Sequence, residues 1–194
     1  MVFALANQLL LRLGYVQAQI RGTPMQSLSY STNDVLAATG WTMNTFQSHL
    51  RREDTIERDG ISTASRGVPR RYSWSAIMQF VVGGELIALG TAPALAFQHA
   101  AKVAFLGSRG QATPDRAPGF PFPYKDGKTF LVVADGNAAI VPVIGNKLEL
   151  WNIPGLATGG LSFQAIDLTA LFERTCTRLE IDAPTMLHDI YPEA

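Results

Sequence analysis

The chain has a single cysteine, Cys176, so it forms no disulfide within itself and offers no set of thiolates to a metal. Charge is scarce at 16% of residues, and Lys+Arg equals Asp+Glu at 16 each, giving a formal net charge of zero. That balance excludes a uniformly basic nucleic-acid coat and a polyacidic tail. Apolar residues at 47% exclude a wholly disordered chain. The longest uncharged apolar run, Leu86 to Ala101, is interrupted by Gly90 and Pro93 and is too short to span a bilayer. The apolar start, Met1 to Gly14, lacks a basic leading region and a small-residue cleavage site, so no signal peptide is expected. These absences together predict a cytoplasmic protein. Catalytic signatures are missing too: no G-x-S-x-G, no P-loop, no G-x-G-x-x-G after a strand and no H-E-x-x-H occurs. The three histidines, His49, His99 and His188, are too scattered to suggest zinc. The expectation is a protein that is not an enzyme and needs no cofactor.

The zero net charge hides segregation. Met1 to Asn33 holds Arg12 and Arg21 and no acid, and Ile61 to Gly84 holds Arg66, Arg70 and Arg71 and no acid. Ser162 to Ala194 sets Arg174 and Arg178 against six acids: Asp167, Glu173, Glu180, Asp182, Asp189 and Glu193. Residues 107–127 are rich in Gly and Pro without hydrophobic period and read as a linker. The predicted organisation is a mainly helical domain over 1–106, a linker over 107–127 and a small module over 128–194. The fold class is α+β.

Leu5, Leu9, Leu13, Val16 and Ile20 form one helical stripe, covering either its own domain or a second copy. Ser31-x-x-Asp34 has the form of a capping box, and Gly40 sits where a helix ends in positive φ. Thr42 then caps a second helix with Met43, Phe46 and Leu50 on one face. Its other face carries Asn44, Thr45, Gln47, Ser48, Arg51 and Arg52. Residues 60–71 suit a small hairpin with turn chemistry at Arg66-Gly67. Ser73 caps the next helix, which Gly83-Gly84 is expected to weaken or break. A further helix begins beyond Pro93 and runs to about Phe105, with His99 a satisfied core residue. Downstream, 128–134 is a strand, Asp135-Gly136-Asn137 a type I′ hairpin turn and 139–144 the partner, with Pro142 favouring an edge. Strands are also predicted at 147–153 and 161–166, and Asp167 caps a helix bearing Leu168, Leu171, Phe172, Thr175 and Leu179.

The order helix, tight turn, helix, Arg/Gly hairpin, helix resembles the winged helix-turn-helix of MerR-like DNA-binding domains. The carrying residues run from Tyr30 to Gly40, through Thr42-x-x-Thr45-Phe46 and Arg51-Arg52, to Gly67-x-x-Arg70-Arg71-Tyr72-Ser73-x-x-x-Ile77. In that family the T-G turn precedes the recognition helix, and the R-x-Y element closes the wing and opens the third helix. Where the family commonly has Ile-Arg-Tyr-Tyr, this chain has Phe46-Gln47-Ser48-His49, so familiar base contacts do not transfer.

The residue chemistry fits the same use. A short helix with polar side chains fits the major groove, Asn44 and Gln47 can pair with adenine, and arginine can pair with guanine. Arg66, Arg70 and Arg71 on a hairpin suit phosphates or the minor groove, and Thr42 at a helix start suits a phosphate. The candidate DNA-binding set is Thr42, Asn44, Thr45, Gln47, Ser48, Arg51, Arg52, Arg66, Arg70, Arg71 and Tyr72. Competing readings stay open: Arg51 and Arg52 pairing with Glu53, Asp54 and Glu57, Tyr72 and Trp74 as core, and His49 on the surface or as a cap. The expectation is a dimeric, sequence-specific transcriptional regulator binding double-stranded DNA. Its C-terminal module would oligomerise or meet a protein partner or small-molecule effector. The alternatives are a protein-interaction adaptor on a winged-helix scaffold and an excisionase-like architectural protein of a mobile element.

Overall fold

A computed structural model describes residues 29–52, 55–57, 59–62, 68–110, 113–143 and 162–192. The expected N-terminal stripe, the Arg66-Gly67 turn and the strand at 147–153 lie outside the described residues. The first helices are α1 (Thr32–Thr39), α2 (Met43–Arg52), α3 (Trp74–Ala88) and α4 (Pro93–Phe105). Next come β1 (Ser108–Gly110), β2 (Thr113–Arg116), a 3₁₀ turn (Tyr124–Asp126), β3 (Lys128–Ala134), β4 (Asn137–Val143) and β5 (Gln164–Asp167). The chain then forms α5 (Leu168–Arg178) and α6 (Ala183–Ile190). No described helix is long and apolar enough to cross a membrane.

Local chemistry sets most of these boundaries. Ser31 and Asp34 form both halves of the capping box on α1, and Gly40 ends it at φ 72°. Ser73, Asp167 and Asp182 cap α3, α5 and α6 by accepting from the N–H groups of Ala76, Ala170 and Thr185. Asp135 at φ 49° and Gly136 at φ 74° make the β3–β4 turn. Among the described residues the antiparallel sheet has the order β4-β3-β5, with Pro142 on an edge strand.

The Gly83-Gly84 pair does not break α3, which runs on to Ala88. A Cβ at Gly83 would lie 2.7 Å from the buried Phe97 ring, and one at Gly84 2.9 Å from Trp41. The two glycines let α4 and Trp41 approach the α3 backbone, and that contact outweighs their poor helix propensity.

One contiguous set of buried apolar side chains runs from Tyr30 to Leu187 and takes in both halves of the chain. Residues 107–127, expected as a linker, carry packing that their Gly/Pro composition conceals. Phe120 and Phe122 are buried, and Arg116 is 3% exposed. The Arg116 Nη1 donates to the carbonyls of Val103 (3.1 Å), Ala117 (3.2 Å) and Phe120 (2.9 Å). Its Nη2 donates to those of Lys102 (3.4 Å) and Leu106. Burial holds the guanidinium down at about 10, with Tyr191 opposing that shift, so it stays charged at neutral pH. Trp74, the first residue of α3, stacks on Phe120 at 5.8 Å, meets Phe172 of α5 edge-on at 5.7 Å, and donates from Nε1 to Gly119 O at 2.9 Å. Two buried threonines continue the joint: Phe122 N donates to Thr129 Oγ1 (2.7 Å), and Thr129 N to Thr169 Oγ1 (2.8 Å). From the C-terminal side, Arg178 of α5 donates to Ala38 O at the end of α1 (2.8 Å), and Arg174 pairs with Glu85.

His99 is buried as expected, at 1% exposed, but neither ring nitrogen has a partner among the described residues. The same holds for the side-chain amide of Gln79 on the facing helix α3. Burial first, and Lys102 second, lower the His99 pKa from its ordinary 6.5.

Gly83→Ala gains helix propensity yet should destabilise the protein by about 1–3 kcal/mol, because Phe97 is enclosed and cannot yield. Urea unfolding of the variant measures this. As pH falls below 6.5, the unfolded chain takes up a proton that folded His99 resists, so its contribution to stability is full above 6.5 and is lost on the way down to its lowered value. His99→Leu should remove that part of the acid loss, seen as a smaller drop in urea midpoint between about pH 7 and about pH 5.

Candidate nucleic-acid interface

Helices α1 and α2 are joined by a turn fixed by short-range bonds. Thr39 Oγ1 donates to Val35 O (2.8 Å) and accepts from Trp41 N (3.2 Å). Thr42 is the first residue of the next unit, its Oγ1 accepting from Thr45 N at 3.2 Å and lying 2.9 Å from Thr45 Oγ1. Both hydroxyls are therefore occupied with capping α2.

The α2 helix has two faces. Phe46 and Leu50, four apart, are buried. The Phe46 ring meets Tyr72 at 5.9 Å and Phe80 at 5.2 Å, both nearly edge-on. His49 lies within the aromatic packing rather than on the open surface, 4.9 Å from Trp41 and 5.5 Å from Phe97. Trp41, half-buried, bridges this side by meeting Phe80 and Phe97 edge-on at 6.3 and 6.4 Å. The opposite face carries Asn44, Gln47 and Arg51, spaced three and four apart and all exposed. Arg51 Nη2 donates to Gln47 Oε1 at 3.2 Å. Thr45 and Ser48 flank this stripe and are half-buried.

A short β ribbon packs against the inner side of α2. Tyr72 bridges Tyr30 on one side and Ile61 on the other, both antiparallel. Tyr30 and Tyr72 exchange N–H···O bonds of 2.8 and 2.9 Å. Ser62 N donates to Arg71 O (2.8 Å), Arg71 N to Ser62 Oγ (2.7 Å) and Ser73 N to Gly60 O (2.7 Å). A Cβ at Gly60 would collide with Ser73 Oγ, so the close strand approach needs glycine there. Nothing in the sequence announces the roles of Gly60 and Ser62, since their partners lie about ten residues away. Burial above all, then the nearby Cys176 and Asp34, push the Tyr30 phenol up to about 12.

Tyr72 must be removed from the contact set. It is 2% exposed and ringed by Phe46 and Phe80, so it cannot reach a groove. Side chains alternate along a strand, so an inward Tyr72 puts its neighbour Arg71 outward, and Arg71 is exposed. Arg70 is half-buried. None of Arg51, Arg70 and Arg71 forms an ion pair among the described residues. Arg66 and the side chain of Arg52 lie outside the described residues.

No family model, curated protein or solved structure matches the chain.

Substitution separates the two neighbours of the ribbon. Tyr72→Ala should cost about 3–5 kcal/mol, as for a large aromatic removed from a core. Arg71→Ala should stay within about 0.5 kcal/mol of the parent. Denaturant midpoints of the two variants test the assignment of one to the core and the other to the surface.

Proposed function

We propose that this protein binds double-stranded DNA through a winged helix-turn-helix, with α2 as the recognition helix and the ribbon ending at Arg70-Arg71 as the wing. The observation that carries this reading is the division of α2: a buried aromatic face, and an exposed stripe of Asn44, Gln47 and Arg51 with no carboxylate partner among the described residues. Amide and guanidinium groups on one helix stripe match the donor and acceptor pattern of base edges in the major groove. On this reading Gln47 and Asn44 read bases, with Ser48 and Thr45 beside them. Arg70 and Arg71 then hold the phosphate backbone, together with Arg66 and Arg52. Thr42 serves the helix start.

The low charge of the chain limits how many phosphates one copy can engage. Useful affinity then needs two copies on two half-sites, which makes a homodimer and a regulatory role the natural form of this proposal.

Selection from a randomised duplex library at about 50 mM salt should enrich a defined site, with affinity falling steeply as salt rises. The Arg70→Ala, Arg71→Ala double variant should weaken binding to all sequences alike and flatten the salt dependence. Gln47→Ala should change the enriched sequence more than the overall affinity. No salt-dependent binding to any duplex by the intact protein would overturn the proposal.

A further inference from the structure

At the end of α4 the surface dips into a cleft of about 210 Å³. Lys102 and Leu106 from the end of α4, Arg116 of β2, Leu131 of β3 and Ala138 and Ile140 of β4 line it. Among the described residues that line it, both charged members are cations and none is a carboxylate. Neither Lys102 nor Arg116 forms an ion pair among the described residues.

Arg116 is the unusual member. Its two Nη atoms are fully engaged by backbone carbonyls, yet its Nε is buried without a partner among the described residues. Carbonyl groups solvate a guanidinium as dipoles but supply no net negative charge, so the positive charge stays uncompensated. The Nε has no opening to solvent, so an anion in the cleft would offset the guanidinium charge through space rather than by a direct bond. The remaining wall is apolar, formed by Leu131, Ala138 and Ile140. The volume exceeds the roughly 150 Å³ of a protein cavity that admits benzene and falls below the roughly 300 Å³ at which pockets for drug-sized ligands begin. A nucleotide is too large, and a bare inorganic anion would leave the apolar wall wet.

We propose that this cleft binds a small carboxylate with an apolar body, its carboxylate paired with Lys102 in the field of the Arg116 charge and its ring or short chain against Leu131, Ala138 and Ile140. The site uses no residue of α2 or the ribbon, so it stands apart from the DNA reading.

Benzoate is a suitable probe and benzamide its neutral counterpart. Titration of the full chain, followed by amide chemical shifts, should show saturable binding of benzoate, with the changes centred on Lys102, Ile140 and their neighbours. Benzamide should bind at least about tenfold more weakly, the difference expected of a charge-assisted hydrogen bond. Lys102→Met keeps the aliphatic stem on a half-buried surface position and should weaken benzoate by about tenfold while leaving the unliganded melting temperature unchanged. Ile140→Trp, which fills the cleft, should abolish binding. Equal affinity for benzoate and benzamide, undiminished binding by Lys102→Met, or the absence of saturable shifts would each overturn the proposal. DNA binding enters none of these readouts, so failure here leaves the DNA proposal untouched, and the reverse.

Discussion

Five backbone carbonyls converge on one buried guanidinium, and much of the molecule is arranged around that convergence. Helix α4 ends at Phe105 with Leu106 extended and no left-handed glycine cap, so its last carbonyls need donors from elsewhere. Arg116 supplies them from the following hairpin and holds Ala117 and Phe120 with the same group. A lysine could not, because it lacks the planar fork that reaches several acceptors at once. With the turn fixed, Phe120 lies flat on Trp74, and Trp74 opens α3, the helix on which α1, α4 and α5 all rest. The orientation of the helical half thus depends on a residue of a segment whose composition suggests only a connection.

The aromatic side chains carry this order outward. Phe80 at the centre of α3 touches Phe46, Tyr72, Phe97 and Trp41 edge-on. Edge-to-face contacts are directional, so they restrict rotation of α2 about its own axis more than a greasy contact of equal area would. Every inward ring on α2 defines where the outward stripe of Asn44, Gln47 and Arg51 must point. The direction of that polar face is set by apolar geometry behind it.

Features that depend on near neighbours were legible from the residues alone. The capping box at Ser31, the caps at Ser73 and Asp167, the stop at Gly40 and the Asp135-Gly136 turn were all of this kind, because the group that satisfies each lies within four residues. The polar outer face of α2 was legible for the same reason, from helical spacing. What escaped were contacts closed across the fold. Gly83 and Gly84 have the same local propensity whether they break a helix or admit a ring, and only Phe97 and Trp41 decide which. Arg116 sits in a stretch whose Gly and Pro suggest mobility, and its acceptors are invisible until α4 is beside it. Tyr72 shares the R-x-Y element with Arg70 and Arg71, and strand alternation turns it away from the exposed Arg71.

The bond from Arg178 to the Ala38 carbonyl spans 140 positions of sequence. During synthesis, the last turn of α1 emerges long before the side chain that completes it. A loop of that length forms late, because its closure entropy must be met before the contact rewards it. The N-terminal helices are therefore completed by α5. A ribosome that stops short of α5 releases a head whose α1 still has an open carbonyl and whose Trp74 has no Phe172 to meet, and such a product presents its unfinished core to chaperones and proteases.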